Sequence, residues 1–566
     1  PKTALSAKDC VACAMGSNTS CCNEEKADVP PVEVTAVTHE MTESEEEPAT
    51  DIALEVLTVK PTAEHVSSAS AERSELKFPS EASRLRLESI VNTDHFEVDQ
   101  EIIRGISLSK SLQWGGRLWR RSPLDMTEQE RQNLWNHSTP ADHFDVFLSH
   151  TWLTPGRRKV VSLLLQSGWK VALLGWFCGV GLAEILIFSE ILPLPFTLEV
   201  DMFAFKGTVS FAFWPMLGGF LGVLSGLILS PYIRPLVPRK QICFLDVVSI
   251  HQTDQELMER GIYGLGGFLS VSKELRVLWS SPYLSRLWCV FELAAYRSAC
   301  PEGKITLKPL FVEMGILYLM FGIYFVAFLF WIGIALRLEQ EFLVLEMLAL
   351  TPVLVMVHLL RENIKEKFKL LSDLKDFDLE QAFCRTEFDR NFVHSSIVKW
   401  YGSKEAFMRY VRGPLREELL IQGATHVPFG YYMILSSCTF AASMNTVTAL
   451  VKAGAPIPCI VSELLGSSFG FYVFWFLFVL KLTMFLTERF AVPRWPGKLM
   501  NYGQSFMLFM LFFVLYSMGF YAADNAYKWS LEASTMWTIF SFACFLMSFI
   551  IPRFVFHVKR AMAGAL

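Results

Sequence analysis

Two rhythms of apolar residues divide the chain. From about residue 170 onward, apolar runs reach the roughly 20 residues that a helix needs to cross a bilayer. Eight such runs stand at 171–190, 208–230, 314–336, 342–360, 428–451, 464–486, 502–523 and 535–557. The second, Thr208 to Ser230, carries no charge, whereas Glu184 and Glu346 interrupt the first and fourth. Seven spans with one re-entrant segment is the alternative. A second set of apolar runs is short and bounded by turn residues, as buried strands are. These are His143 to His150, Ile242 to Val248, Leu275 to Trp279 and Ile305 to Phe311. Helical stretches fall between them at Arg157 to Gln166, Gly261 to Ser272 and Ser285 to Ala299. Strands alternating with helices predict a parallel sheet covered on both faces.

The strands belong to two segments, 143–170 and 240–312, so a membrane hairpin at 171–230 splits the α/β domain. A second hairpin stands at 314–360, then a charged helical segment at 361–427, four spans over 428–557 and a tail at 558–566. Eight spans put all the large polar segments on one side. The opposite loops hold only Lys206, Arg337, Lys452 and Lys528, against fifteen Lys and Arg near the other span ends, among them Arg157, Arg158, Arg239 and Lys240. Excess positive charge marks the cytosolic side, so both termini and the α/β domain are expected there, in a membrane the sequence does not identify. Gly175-x-x-x-Gly179 and Gly218-x-x-x-Gly222-x-x-x-Gly226 predict close packing of the first hairpin.

Composition agrees with a membrane protein. Of 566 residues, 52% are hydrophobic and only 19% charged, with net charge −5, which speaks against a basic nucleic-acid binder. Residues 1–80 hold 15 acidic and 6 basic side chains, so a mostly disordered acidic tail is expected over 1–140. Cys10, Cys13, Cys21 and Cys22 lie in it. The tail reads first as a mobile segment, then as a site of S-palmitoylation, and last as a zinc site, since no second pair or nearby His completes the C-x-x-C. The other eight of the twelve Cys are scattered singly, as reduced thiols are. The start at Pro1 reads as a fragment or a processed form.

The soluble segments carry quotable motifs. Phe144-Asp-Val-Phe-Leu-Ser149 resembles the opening strand of Toll/interleukin-1 receptor (TIR) domains. Leu245-Asp246, a polar loop and Gly261-Ile262 are similar to the family's second strand, its loop and its helix. Leu278-Trp-Ser-Ser-Pro-Tyr283 with Arg286-Leu-Trp-Cys-Val-Phe-Glu-Leu293 resembles the S-x-x-Y…W-C-x-x-E-L signature of plant-type TIR domains. Together they cover about a fifth of the chain, and two features depart from the family: the membrane hairpin and the lack of a clear fifth strand. The sheet is expected to be short or completed from 361–427. The resemblance implies a flavodoxin-like parallel sheet and self-association between TIR domains, here involving Asp254, Arg260 and Gly261.

In such a sheet ligands sit beyond the carboxyl ends of the strands. Those ends carry Ser149, His150 and Trp152, and then Trp279 and Ser280. Glu292 stands on the next helix, with Trp288 one turn before it. In TIR domains that hydrolyse NAD+, the resemblance implies that Glu292 is the catalytic carboxylate and the other six residues bind substrate. NAD+ would be the substrate; no cofactor or metal is implied. Asp246 reads as a loop organiser rather than a base. No G-x-G-x-x-G, G-K-[ST] or H-E-x-x-H motif supports a kinase, ATPase or zinc hydrolase. A non-catalytic TIR adaptor or scaffold remains a rival reading, as many family members only self-associate. A channel or transporter regulated by the TIR-like domain is the other rival, resting on Glu184, Glu346 and Lys481 at membrane depth. The predicted partners are further copies of the chain and membrane lipid.

Overall fold

The structure is a computed structural model that describes residues 96–233, 241–337, 342–423, 427–493 and 497–563. The tail reading for residues 1–95, with its four cysteines, lies outside the described residues. Residues 96–140, however, are not part of a tail. They supply strands β1 (Arg104–Ser107) and β2 (Thr139–Pro140) and the helices Leu108–Arg120 and Glu128–Leu134. A capping box between Thr127 and Glu130 starts the second of these helices.

The remaining sheet strands are β3 (Val146–Ser149), β6 (Ile242–Phe244), β7 (Glu274–Trp279) and β8 (Lys304–Pro309). Between β3 and β6 in the chain, β4 (Phe196–Met202) and β5 (Phe205–Phe211) form a separate hairpin. The six-stranded sheet runs β2-β1-β6-β3-β7-β8. Its β6-β3-β7-β8 part is parallel, as the alternation of elements predicts. β1 adds to β6 antiparallel, with Ile106 opposite Cys243, and β2 caps the edge. The extra strands thus come from before β3. Segment 361–423 adds helices: Leu374, Phe392, Ile397 and Phe407 share a core with Phe147, Val277 and Phe291. Val146, Leu148 and Leu278 point the other way, into a second core with Ile106, Trp119 and Leu163. Both faces are therefore covered, which is why these strands read as unbroken apolar runs.

The second expected strand ends early. β6 stops at Phe244, and Asp246–Ser249 forms a helical turn that buries Val247 and Val248. Two helical segments, Gln255–Tyr263 and Leu265–Ser270, replace the single one expected over 261–272.

Seven described helices are long and apolar enough to cross a membrane, which makes this an integral membrane protein. The first, Gly156–Phe188, has 33 residues and joins the expected soluble helix and first span into one rod of about 50 Å. The expected second span is shorter than 208–230. Thr208 to Phe211 belong to β5, which pairs with β4, and the helix covers only Trp214–Leu229. Its 16 residues reach about 24 Å. It lies antiparallel against the first span: Gly168 meets Ser230, Gly175 meets Gly222, and Gly179 meets Gly218. A Cβ at Gly175, Gly179 or Gly222 would strike a backbone carbonyl of the facing helix, so the two glycine series permit this contact.

The sheet and the bundle share their chain directly. The helix after β3 continues as the first span, and Pro309 of β8 caps the span Leu310–Ala335. Where they meet, the buried Glu313 carboxylate accepts hydrogen bonds from Ser162 (2.8 Å), Gln166 (3.1 Å) and Tyr431 (3.0 Å). At the other end of the bundle, Arg337 bonds Thr197 at 3.3 Å and Lys452 lies 3.6 Å from Glu190.

Candidate active site

The strand order reverses between β3 and β7, the position where doubly wound sheets open a crevice at their carboxyl ends. Ser149 closes β3, Trp279 closes β7 and Ser280 follows it. Helix Leu287–Ala299 brings Glu292 back over this point.

Ser149 is fully buried, and its hydroxyl hydrogen-bonds to the Glu292 carboxylate and to the Tyr283 hydroxyl. Glu292 itself is mostly buried, with a minor part of its surface open. Burial, which penalises the charged form, pushes its pKa up to about 8; the Ser149 hydrogen bond works against this, and the nearby Asp246 charge adds to it. Burial likewise holds the Tyr283 hydroxyl well above its ordinary value, with Cys289 and Glu292 adding to the shift, so it stays protonated. The loops after β3 and β7 are tied by a hydrogen bond between Thr154 and Ser280.

A second cluster lies beside the first. The His150 ring sits between Trp119 and Trp152, with centroid distances of 5.2 and 4.9 Å. Its Nε2 is 3.4 Å from Asp246 Oδ1, and its Nδ1 is 3.3 Å from Lys159 Nζ. Burial and then the Lys159 charge lower the His150 pKa, so the imidazole is neutral at pH 7. Asp246 accepts hydrogen bonds from Trp152 Nε1 (2.8 Å) and its neighbour's backbone N–H, that of Val247 (2.7 Å). Burial opposes its charge, yet His150 and these donors hold its pKa below the ordinary value. Asp246 thus organises the loop. Lys159 is fully buried, donates to the Thr151 carbonyl at 3.2 Å and lies 4.3 Å from the Trp152 ring centre.

The expected site residues therefore separate. Ser149, Ser280 and Glu292 converge at the switch point, and His150 and Trp152 form the adjoining cluster. Trp279 does not join them: its ring is 2% exposed and packs in the core against Tyr283. Every residue near the end of β7 is buried because helices cover both faces. Trp288 packs against Tyr263, Phe291 and Phe392, fastening the Glu292 helix to Glu387–Tyr401. Asp254 caps helix Gln255–Tyr263 through Leu257 N (3.0 Å), and Arg260 pairs with Asp99. Gly261 is buried against Ile250, so it shapes this segment from beneath rather than as an exposed contact.

Tyr283, Thr154, Lys159 and Trp119 join the site without having been expected there. Tyr283 had a signal, as the tyrosine of the S-x-x-Y motif. Lys159 had none, because a lysine in a first helical turn ordinarily points to water. Among the described residues no group of three His, Cys, Asp or Glu side chains is placed to hold a metal ion. No protein-family model, no curated protein and no solved structure matches the chain.

Proposed function

We propose that this chain is a multi-pass membrane signalling protein whose split α/β domain is TIR-like, faces the cytosol and hydrolyses NAD+ to nicotinamide and ADP-ribose. The observation that carries the reading is the carboxyl of Glu292, held by Ser149, which also bonds Tyr283, at the sheet's switch point. The sheet's parallel part, in the order β6-β3-β7-β8, agrees with the flavodoxin-like order of the TIR family.

The chemistry asks for one anionic group. The C1′–N bond breaks with its electron pair going to the cationic nicotinamide ring, which leaves neutral, while positive charge builds on the ribose. A carboxylate at that carbon stabilises the developing cation. Water then adds to C1′ and releases a proton. With a pKa of about 8, Glu292 is mostly protonated at neutral pH before substrate arrives. The positive pyridinium of NAD+ favours its ionisation, so substrate itself brings out the charge that the reaction uses. The Ser149 hydroxyl, donating to the carboxylate, fixes its direction.

Contacts between copies of the domain are proposed to transmit the signal, through the surface of helix Gln255–Tyr263 that Asp254 and Arg260 shape. The test of the catalytic claim is nicotinamide release from NAD+ by the purified full chain. Glu292→Gln should lose at least ~10²-fold, the scale of deleting one preorganised electrostatic partner. Trp288→Ala should instead lower stability through lost packing. Wild type releasing no nicotinamide when clustered on membranes would leave the adaptor reading in its place.

A further inference from the structure

Within the bundle, the spans Leu310–Ala335, Val344–Lys375, Phe429–Lys452, Ile457–Arg489 and Lys498–Trp529 enclose a cavity. On Val344–Lys375 its wall runs from Glu346 to Leu360, fourteen residues apart on one helix, or about 21 Å. The space open to the centre of a water-sized group is about 80 Å³. Spread evenly over that length, it averages about 4 Å² in cross-section for an atom's centre, room for one chain of atoms abreast. Its walls are mainly apolar, with Ile323, Leu350, Val353, Phe476 and Phe512 among them, and Glu346 is the one charged residue lining it.

Glu346 is 2% exposed. Ser517 donates to Oε1 at 2.7 Å, whereas Oε2 has no hydrogen-bond partner. A half-satisfied buried carboxyl is costly, the more so at membrane depth, and calls for a donor. Glu346 lies in the first turns of its helix, so the unpartnered acceptor is at one end of the bore and the apolar length extends from it. The wall opposite includes Tyr472, in a π-helical run, Leu464–Trp475, whose carbonyl accepts from Thr439 at 2.6 Å. Such distortions of the regular helix recur at functional sites. An ion pathway would need a wetter lining than this.

We infer that this cavity is a binding site for a single-chain amphiphile whose head group donates a hydrogen bond to Glu346 while its alkyl chain fills the apolar bore. The head is an ammonium or a hydroxyl. A carboxylate head does not fit, because it has no hydrogen to donate to the unpartnered Oε2.

The full chain in phosphatidylcholine nanodiscs, with radiolabelled octadecylamine as probe, tests this. Binding should be saturable at one per chain, displaced by octadecanol and not by octadecanoic acid. Glu346→Gln should weaken octadecylamine by at least ~tenfold, the scale of a hydrogen bond to a charged group, and leave octadecanol nearly unchanged. That contrast separates an ammonium from a hydroxyl head. Ala349→Leu, which fills the bore one turn from Glu346, should remove both ligands. Displacement by octadecanoic acid equal to that by octadecanol would overturn the inference. So would unchanged amine binding in Glu346→Gln, or the absence of saturable binding to wild type.

Discussion

Replacing Glu292 by Gln should make the protein more stable, and by an amount that depends on pH. A glutamate ordinarily ionises near 4.5, and burial raises Glu292 to about 8. Between those values the folded chain keeps a proton that the unfolded chain has released. Stability therefore falls as pH rises through this window and levels off above it. At pH 7 the distance from 4.5, at about 1.4 kcal/mol per unit, comes to at most about 3.5 kcal/mol. Gln cannot ionise, yet it still offers the Ser149 hydroxyl an acceptor. The variant should match wild type near pH 4.5 and exceed it increasingly up to pH 8. For a domain of this size the gain at pH 7 corresponds to at most roughly 7–14 °C in Tm. Thermal unfolding of the detergent-solubilised chain, followed by intrinsic fluorescence from pH 5 to 9, measures the difference. A gap that stays constant over that range, or a less stable variant, would refute the burial argument.

The architecture sets three further outcomes. Single cysteines replacing the exposed Phe203, Ile457 and Trp529 should be labelled from one side of the membrane, and those replacing the exposed Leu153 and Phe383 from the other; labelling of Phe203 and Phe383 positions from the same side would contradict the topology. Gly222→Ala should destabilise the first hairpin by more than about 1 kcal/mol, because its Cβ meets the Gly175 carbonyl, while Gly181→Ala, with open space around it, should be neutral in the same unfolding assay. Replacing 171–230 and 314–360 each by a short flexible linker should leave a foldable soluble domain that includes 361–423, since Gly168 meets Ser230, Asn363 meets the Phe311 carbonyl and neither excised segment gives a strand to the six-stranded sheet; a circular dichroism spectrum of unfolded chain would count against this.

The legible part of the fold is set by length and periodicity. The strands β3, β7 and β8 and the long spans were legible because apolar runs set their own boundaries. β1 was not: Arg-Gly-Ile-Ser is too short and too polar for a period, and only its pairing with β6 makes it a strand. Residues 205–211 misled differently. Phe205, Gly207, Val209 and Phe211 alternate with Lys206, Thr208 and Ser210, a period of two that merges into the apolar helix after it. Val247 and Val248 read as strand because burial in a helical turn leaves the same apolar signature. At the site, Ser149 and Glu292 were visible through their motifs. Trp279 and Trp288 were misplaced because position along a strand or helix does not reveal which core a large ring enters. Lys159 and Trp119 meet His150 only through the fold.

The most direct measurement is the pH profile of nicotinamide release by the full chain reconstituted in membranes, for wild type and Glu292→Gln. If ionised Glu292 opposes the ribosyl cation, wild-type kcat/KM should rise with pH and level off near the free-enzyme pKa of about 8. The variant should be slower by at least ~10²-fold and lack that rise. Equal turnover by both proteins, or a wild-type profile without an inflection between pH 6 and 9, would contradict the assignment of Glu292.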